Sequence, residues 1–146
     1  MGTAASAAMG MWRGRETRGN REFEELARAI FELERAIAPA RTPSTMVAVN
    51  RRATFLPHTD AGAGFGQSTS LIVGLGDYTG GELVVEGEPH HIRYAPLTFD
   101  GWRQRHWTLP FEGERFSLVY FTPQAAVDAE CETATTFEGR YGDGTW

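Results

Sequence analysis

After Pro43 the chain is cut into short apolar or alternating segments by turns rich in Gly, Pro and Asp, and no helix-length stretch separates them. Parallel strands need crossover connections of a dozen or more residues, usually helical, so this punctuation confines the sheets to antiparallel pairing. Residues 45–56, 67–75, 82–86, 90–94, 97–100, 104–109 and 115–122 are the strand candidates. Seven short strands at this spacing predict a mainly β fold, a jelly roll of two antiparallel sheets closed over one core.

One helix precedes them. Phe23, Leu26, Ala27, Ile30, Leu33 and Ile37 recur near the 3.6-residue period, Asn20 is placed to cap, and Glu22, Glu24 and Glu25 suit the positive end of the helix dipole. Pro39 stops it. The spacing predicts a single N-terminal supporting helix that braces the sheet. Residues 1–19 are small, polar and Arg-rich without periodicity and read as a disordered leader. The domain is then expected over 20–122, with 123–146 a C-terminal tail to which no role attaches.

At 146 residues the chain fits one domain. No run reaches the eighteen or more apolar residues of a membrane span, and the Ala-rich start lacks the charged flank of a signal peptide. The expectation is a soluble intracellular, cytoplasmic protein. Met1-Gly-Thr-Ala-Ala-Ser6 matches the N-myristoylation pattern, with Arg13, Arg15, Arg18 and Arg21 as an electrostatic second signal, but a chance match is the plainer reading. The one cysteine, Cys131, forms no internal disulfide and reads as an inert thiol. A net charge of -5 argues against nonspecific nucleic-acid binding, although all basic residues are Arg and four of them, Arg51, Arg52, Arg103 and Arg105, flank the residues singled out below.

There are four histidines, at 58, 90, 91 and 106. In Pro57-His-Thr-Asp60, residues i and i+2 of an extended strand point the same way, so the imidazole of His58 and the carboxylate of Asp60 can reach one ion. His90 and His91 are adjacent and face opposite ways, which leaves His106 as the better third ligand. Two histidines and one carboxylate are the inventory of the facial triad that holds non-haem Fe(II) with open positions. In Arg115-Phe-Ser117 the two polar side chains share one face while Phe116, Leu118 and Tyr120 share the other. A buried Arg115 needs an anionic partner, which a dicarboxylic co-substrate would supply. Asn50 precedes the ligands on the same strand, placed for a structural hydrogen bond or for the co-substrate. Gly80 and Gly81 read as turn residues, and Gly62-Ala-Gly-Phe-Gly66 as a lid or a linker.

His58-Thr-Asp60, His106 and Arg115-Phe-Ser117 together resemble, in order and spacing, the H-x-D…H…R-x-S signature of the Fe(II)- and 2-oxoglutarate-dependent dioxygenases. Leu75-Gly-Asp-Tyr-Thr-Gly-Gly-Glu-Leu83 is similar to the glycine turn of the branch containing prolyl hydroxylases, J-binding-protein and ten-eleven-translocation enzymes. The resemblance spans about residues 45–122 and implies a double-stranded β-helix. It further implies that His58, Asp60 and His106 ligate Fe(II), that Arg115 and Ser117 hold the distal carboxylate of 2-oxoglutarate, and that O2 is used to hydroxylate a primary substrate with release of succinate and CO2. Nucleobase, protein side chain and small molecule all stay open as that substrate. The alternative is a non-catalytic jelly-roll module that keeps a metal, Zn(II) included, without turnover.

Overall fold

The computed structural model describes residues 3–63 and 66–124. Its strands are β1 (Ala5–Trp12), β2 (Arg15–Glu16), β3 (Met46–Arg51), β4 (Ser70–Leu75), β5 (Tyr78–Gly80), β6 (Leu83–Val85), β7 (Glu88–His90), β8 (Leu97–Phe99), β9 (His106–Thr108), β10 (Phe111–Gly113) and β11 (Phe116–Phe121). Two helices, α1 (Arg18–Glu22) and α2 (Glu24–Ile37), lie between β2 and β3. The larger sheet runs β2-β1-β3-β11-β4-β8, a smaller one runs β7-β6-β9, and β5 pairs with β10. Every strand-to-strand pairing is antiparallel, as the punctuation predicts, and the fold is the expected mainly β jelly roll.

Alternation along each strand builds two cores. Met46, Ala48, Ile72, Val119 and Phe121 of the large sheet face Leu83 and Val85 of the small one, with Phe99 and Ile92 between. Val47, Leu71, Val73, Leu118 and Tyr120 point the other way, onto Ala27 and Ile30 of α2. Because both faces of β11 are covered, its sequence is apolar almost throughout, the mark of a central strand. The strand's polar exception, Ser117, and the Arg115 that precedes the strand are therefore under constraint. At the far end of α2, the buried Glu34 accepts from Ser44 N at 2.9 Å and Ser44 Oγ at 2.6 Å and pairs with Arg41 at 3.3 Å, tying the helix to the loop that enters β3.

Three expectations need correction. The supposed leader supplies β1, which pairs with β3 from Ala5↔Arg51 to Gly10↔Met46 and buries Ala8, Met9 and Trp12. Its small residues carry no periodic signal because they serve close approach: a Cβ on Gly19 of α1 would lie 2.2 Å from the Ala8 carbonyl oxygen. Among the described residues there are two α-helices, not one. Thr17 caps α1 by accepting from Asn20 N at 3.1 Å, so Asn20 is the capped residue and not the cap, and the chain breaks at Phe23 before α2 begins with Glu24 and Glu25. Phe23 and Leu26 stay half exposed and do not join the buried face.

The strand expected over 90–94 is also displaced. Glu86 and Gly87, both at positive φ, make a two-residue turn that pairs Leu83 with His90, so β7 ends where that strand was to begin. Beyond it only an isolated bridge, Gly74↔Arg93, remains. β5 and β10 fall in segments read as turns. Among the described residues no helix is long and apolar enough to cross a membrane. Gly2, Cys131 and the tail from 125 onward lie outside the described residues, as do positions 64 and 65 of the glycine-rich segment.

Candidate active site

His58 and His106 sit opposite each other as an isolated antiparallel bridge, with His58 N donating to His106 O at 3.2 Å and His106 N to His58 O at 2.9 Å. Directly paired residues project to the same side, and the two ring centroids lie 4.3 Å apart. The His58-Thr-Asp60 segment is not a continuous strand, however. β3 ends at Arg51, and Asp60 opens a 3₁₀ turn, Asp60–Ala63. His58 and Asp60 converge because the chain turns immediately after the bridge, and Asp60 N donates to Gly101 O at 2.8 Å.

The geometry is that of three acceptors aimed at one point. The Nδ1 atoms of His58 and His106 lie 2.7 and 2.8 Å from the carbonyl oxygens of Leu56 and Gln104. A carbonyl only accepts, so Nδ1 carries the proton in each neutral ring and Nε2 presents a lone pair. Those Nε2 atoms stand 3.3 and 3.5 Å from Asp60 Oδ1, which is buried and has no hydrogen-bond partner. Burial pushes the Asp60 carboxyl up, but in the metal-free site the two imidazoles beside it, when they carry a proton on Nε2, outweigh that by hydrogen bonding and charge and hold it below the usual carboxylate range. Ligand atoms of His58, Asp60 and His106 all fall within 4.8 Å of one another. This donor set fits a divalent cation: two imidazoles and an ionised carboxylate converge, and an orphaned oxygen faces the gap. His91, by contrast, is on the surface near Glu82 at 3.8 Å.

Arg115 is the second anomaly. It is 1% exposed; Nη2 donates to Gly81 O at 3.0 Å and Nε has no partner. Its neighbour Glu114 is held at the surface by Arg51 at 2.9 Å and Arg52 at 3.1 Å, which also hold its carboxyl below the usual range. Arg51 and Arg52 are thus engaged in fixing the strand end. The guanidinium instead packs near the rings of Tyr78 and Phe111, at 5.6 and 5.5 Å, and burial pulls its pKa down. Ser117, equally buried, accepts from Asn50 Nδ2 at 3.2 Å, and Asn50 Oδ1 accepts from Ser6 Oγ at 2.8 Å, so Asn50 makes the structural bond expected of it. The hydroxyl proton of Ser117 is left to donate.

One small cavity, about 20 Å³, is lined by His58, Asp60 and His106 and also by Arg115 and Ser117, with Ile72, Leu83 and Val119 among its apolar walls. All five sequence-chosen residues therefore meet in one place. Three others complete the site, of which Gln67 and Gly101 give no sequence signal and Gly81 reads only as a turn residue. Gln67 donates to Asp60 Oδ2 at 2.9 Å, Gly101 backs Asp60, and Gly81 makes room for Arg115, with a Cβ there only 2.7 Å from Nε. A larger groove of about 680 Å³, between α1 and the outer face of β1, holds none of these groups.

No family model and no curated protein sequence matches the chain. Solved structures do. NgTET1 in complex with 5mC DNA superposes with a TM-score of 0.64 at 15% identity, covering 92% of this chain and 69% of that one. A 2OG-Fe(II) oxygenase family oxidoreductase from Burkholderia pseudomallei gives 0.53 at 20% identity, covering 81% of this chain and 65% of its own. At these identities the likeness is one of fold, the jelly roll of 2OG-Fe(II) oxygenase structures.

Proposed function

We propose that the chain is an Fe(II)- and 2-oxoglutarate-dependent dioxygenase that hydroxylates a primary substrate with release of succinate and CO2. The observation that carries this reading is that Asp60 Oδ1 and Arg115 Nε, an acceptor and a donor each buried without a hydrogen-bond partner, belong to residues that line the same cavity. Neither charge state is tolerated alone in an apolar interior. A metal answers the first and a carboxylate the second, and a 2-oxo diacid is a ligand able to touch both.

In this reading His58, Asp60 and His106 hold Fe(II), and the Leu56 and Gln104 carbonyls fix both ring tautomers. Arg115 receives the distal carboxylate, and Ser117 donates its hydroxyl proton to it. The apolar walls exclude water, which strengthens that pairing. Bound Fe(II) would supply the activation of O2 coupled to decarboxylation of the 2-oxo acid. The neighbour solved with 5mC DNA supports a nucleobase as the primary substrate, while the glycine turn at Gly80-Gly81 is shared with prolyl hydroxylases and leaves protein side chains and small molecules as the other substrate classes. The net charge lends nucleic acid no support.

The cavity itself favours a second reading. About 20 Å³ holds roughly one water, so a five-carbon diacid enters only if the walls part. A metal-holding module without turnover needs no such opening. The deciding experiment is anaerobic loading with Fe(II), followed by succinate measurement on admitting O2. Succinate that requires Fe(II), O2 and Arg115, and is blocked by N-oxalylglycine, is the expected result. Iron-loaded protein that yields none across a broad substrate panel is the module.

A further inference from the structure

Asp60 has two oxygens, and a carboxylate left to itself binds a cation through either or both. Here they are treated differently. Oδ2 accepts from Gln67 Nε2 at 2.9 Å, and the Gly101 backbone stands so close that a Cβ on it would lie 2.5 Å from the same oxygen. Oδ1 alone faces the two Nε2 atoms. The orientation of the Gln67 amide follows from its neighbours, since the opposite flip would set its carbonyl oxygen against the carboxylate.

Gln67 is itself well held. Its amide also donates to Ser70 Oγ at 3.3 Å, and its backbone bridges Pro123. On either side Ser68 N donates to Thr122 O and Gln124 N to Gly66 O, both at 2.9 Å. The amide is thus carried on an extension of the β11 pairing and is aimed at one carboxylate oxygen.

We infer that Gln67, backed by Gly101, is a positioning residue that makes Asp60 a one-oxygen ligand and so keeps a coordination position of the metal vacant. This rests on the metal-holding reading of His58, Asp60 and His106. A facial triad is useful because three positions of a six-coordinate ion stay open, two for a chelating 2-oxo acid and one for O2. Were Oδ2 free to swing in, Asp60 would take one of the three.

The test counts waters on bound Mn(II), from the broadening of its electron paramagnetic resonance lines in ¹⁷O-enriched water, in the wild type and in Gln67→Met, Gln67→Leu and Gln67→Lys. Gln67 is only half-buried, so two donor-free variants of different shape guard against a folding defect in one. The Met and Leu variants are expected to carry one metal-bound water fewer than the wild type, and the Lys variant, which keeps a donor, to restore the count. An equal count in the wild type and the donor-free variants overturns the inference and leaves the metal site standing. A wild type that binds no Mn(II) overturns both.

Discussion

Arg115 lies across the backbone of Gly81, its Nη2 on the Gly81 carbonyl and its Nε where any Cβ of residue 81 would project. Gly81 also has a φ of +68°, so two independent constraints demand glycine there. Gly81→Ala should cost about 1–2 kcal/mol for the left-handed backbone alone and should also displace the guanidinium. The expected outcome is a lower melting temperature together with weaker 2-oxoglutarate binding in the metal-loaded protein and unchanged metal affinity. Calorimetric titration with 2-oxoglutarate checks it; full affinity would show that Arg115 has another purpose.

Substituting Arg115 itself isolates the geometry of the fork. Lysine keeps the charge but loses paired planar donors, so Arg115→Lys should raise the 2-oxoglutarate requirement about tenfold or more, roughly 1.4 kcal/mol. Iron content, measured in parallel, should not change. An unaltered requirement would remove Arg115 from the co-substrate site.

Metal analysis of five single variants tests the ligand set. His58→Ala, Asp60→Ala and His106→Ala should each abolish tight iron binding while keeping the β fold by circular dichroism, whereas His90→Ala and His91→Ala should bind as the wild type does. His90 lies in β7, away from the triad, and the side chain of His91 is largely in solvent. Loss of iron in His91→Ala with retention in His106→Ala would place the third ligand wrongly.

Acid should expose the contribution of Asp60. Its folded-state pKa lies below the ordinary value of 3.8, so the stability it supplies is fully present above that value and is lost as pH falls through the lower, folded one. Metal-free wild type should therefore lose melting temperature in strong acid, below about pH 4, more steeply than Asp60→Asn. Parallel profiles for the two proteins would mean that the imidazoles do not favour the carboxylate.

Much of this was legible because it depends on alternation and spacing. β3, β4 and β11 carry apolar side chains on the faces they bury, and His58, Asp60, His106, Arg115 and Ser117 form an ordered pattern. What escaped depends on other physics. β1 opens on small residues, with α1 pressed against Ala8, so its first half shows no periodic apolar signal. β5 and β10 are three residues each, and their Gly content reads as turn chemistry even where the backbone pairs. Gln67 meets Asp60 only through a fold-back that no local pattern records.

The register of the large sheet also governs when the protein can become itself. Arg51 pairs with Ala5 on one side and Phe116 on the other, and the His58–His106 bridge spans a similar interval. Such distant pairings must be closed at an entropic cost before they gain anything, which puts folding in the slow, millisecond-to-second regime of non-local β topologies. On the ribosome β3 waits for β11, and so for nearly the whole domain, to emerge, with an unpaired edge exposed meanwhile. Under the proposed metal-holding reading, ion capture at the histidine bridge is consequently a late event and a reporter for completed refolding.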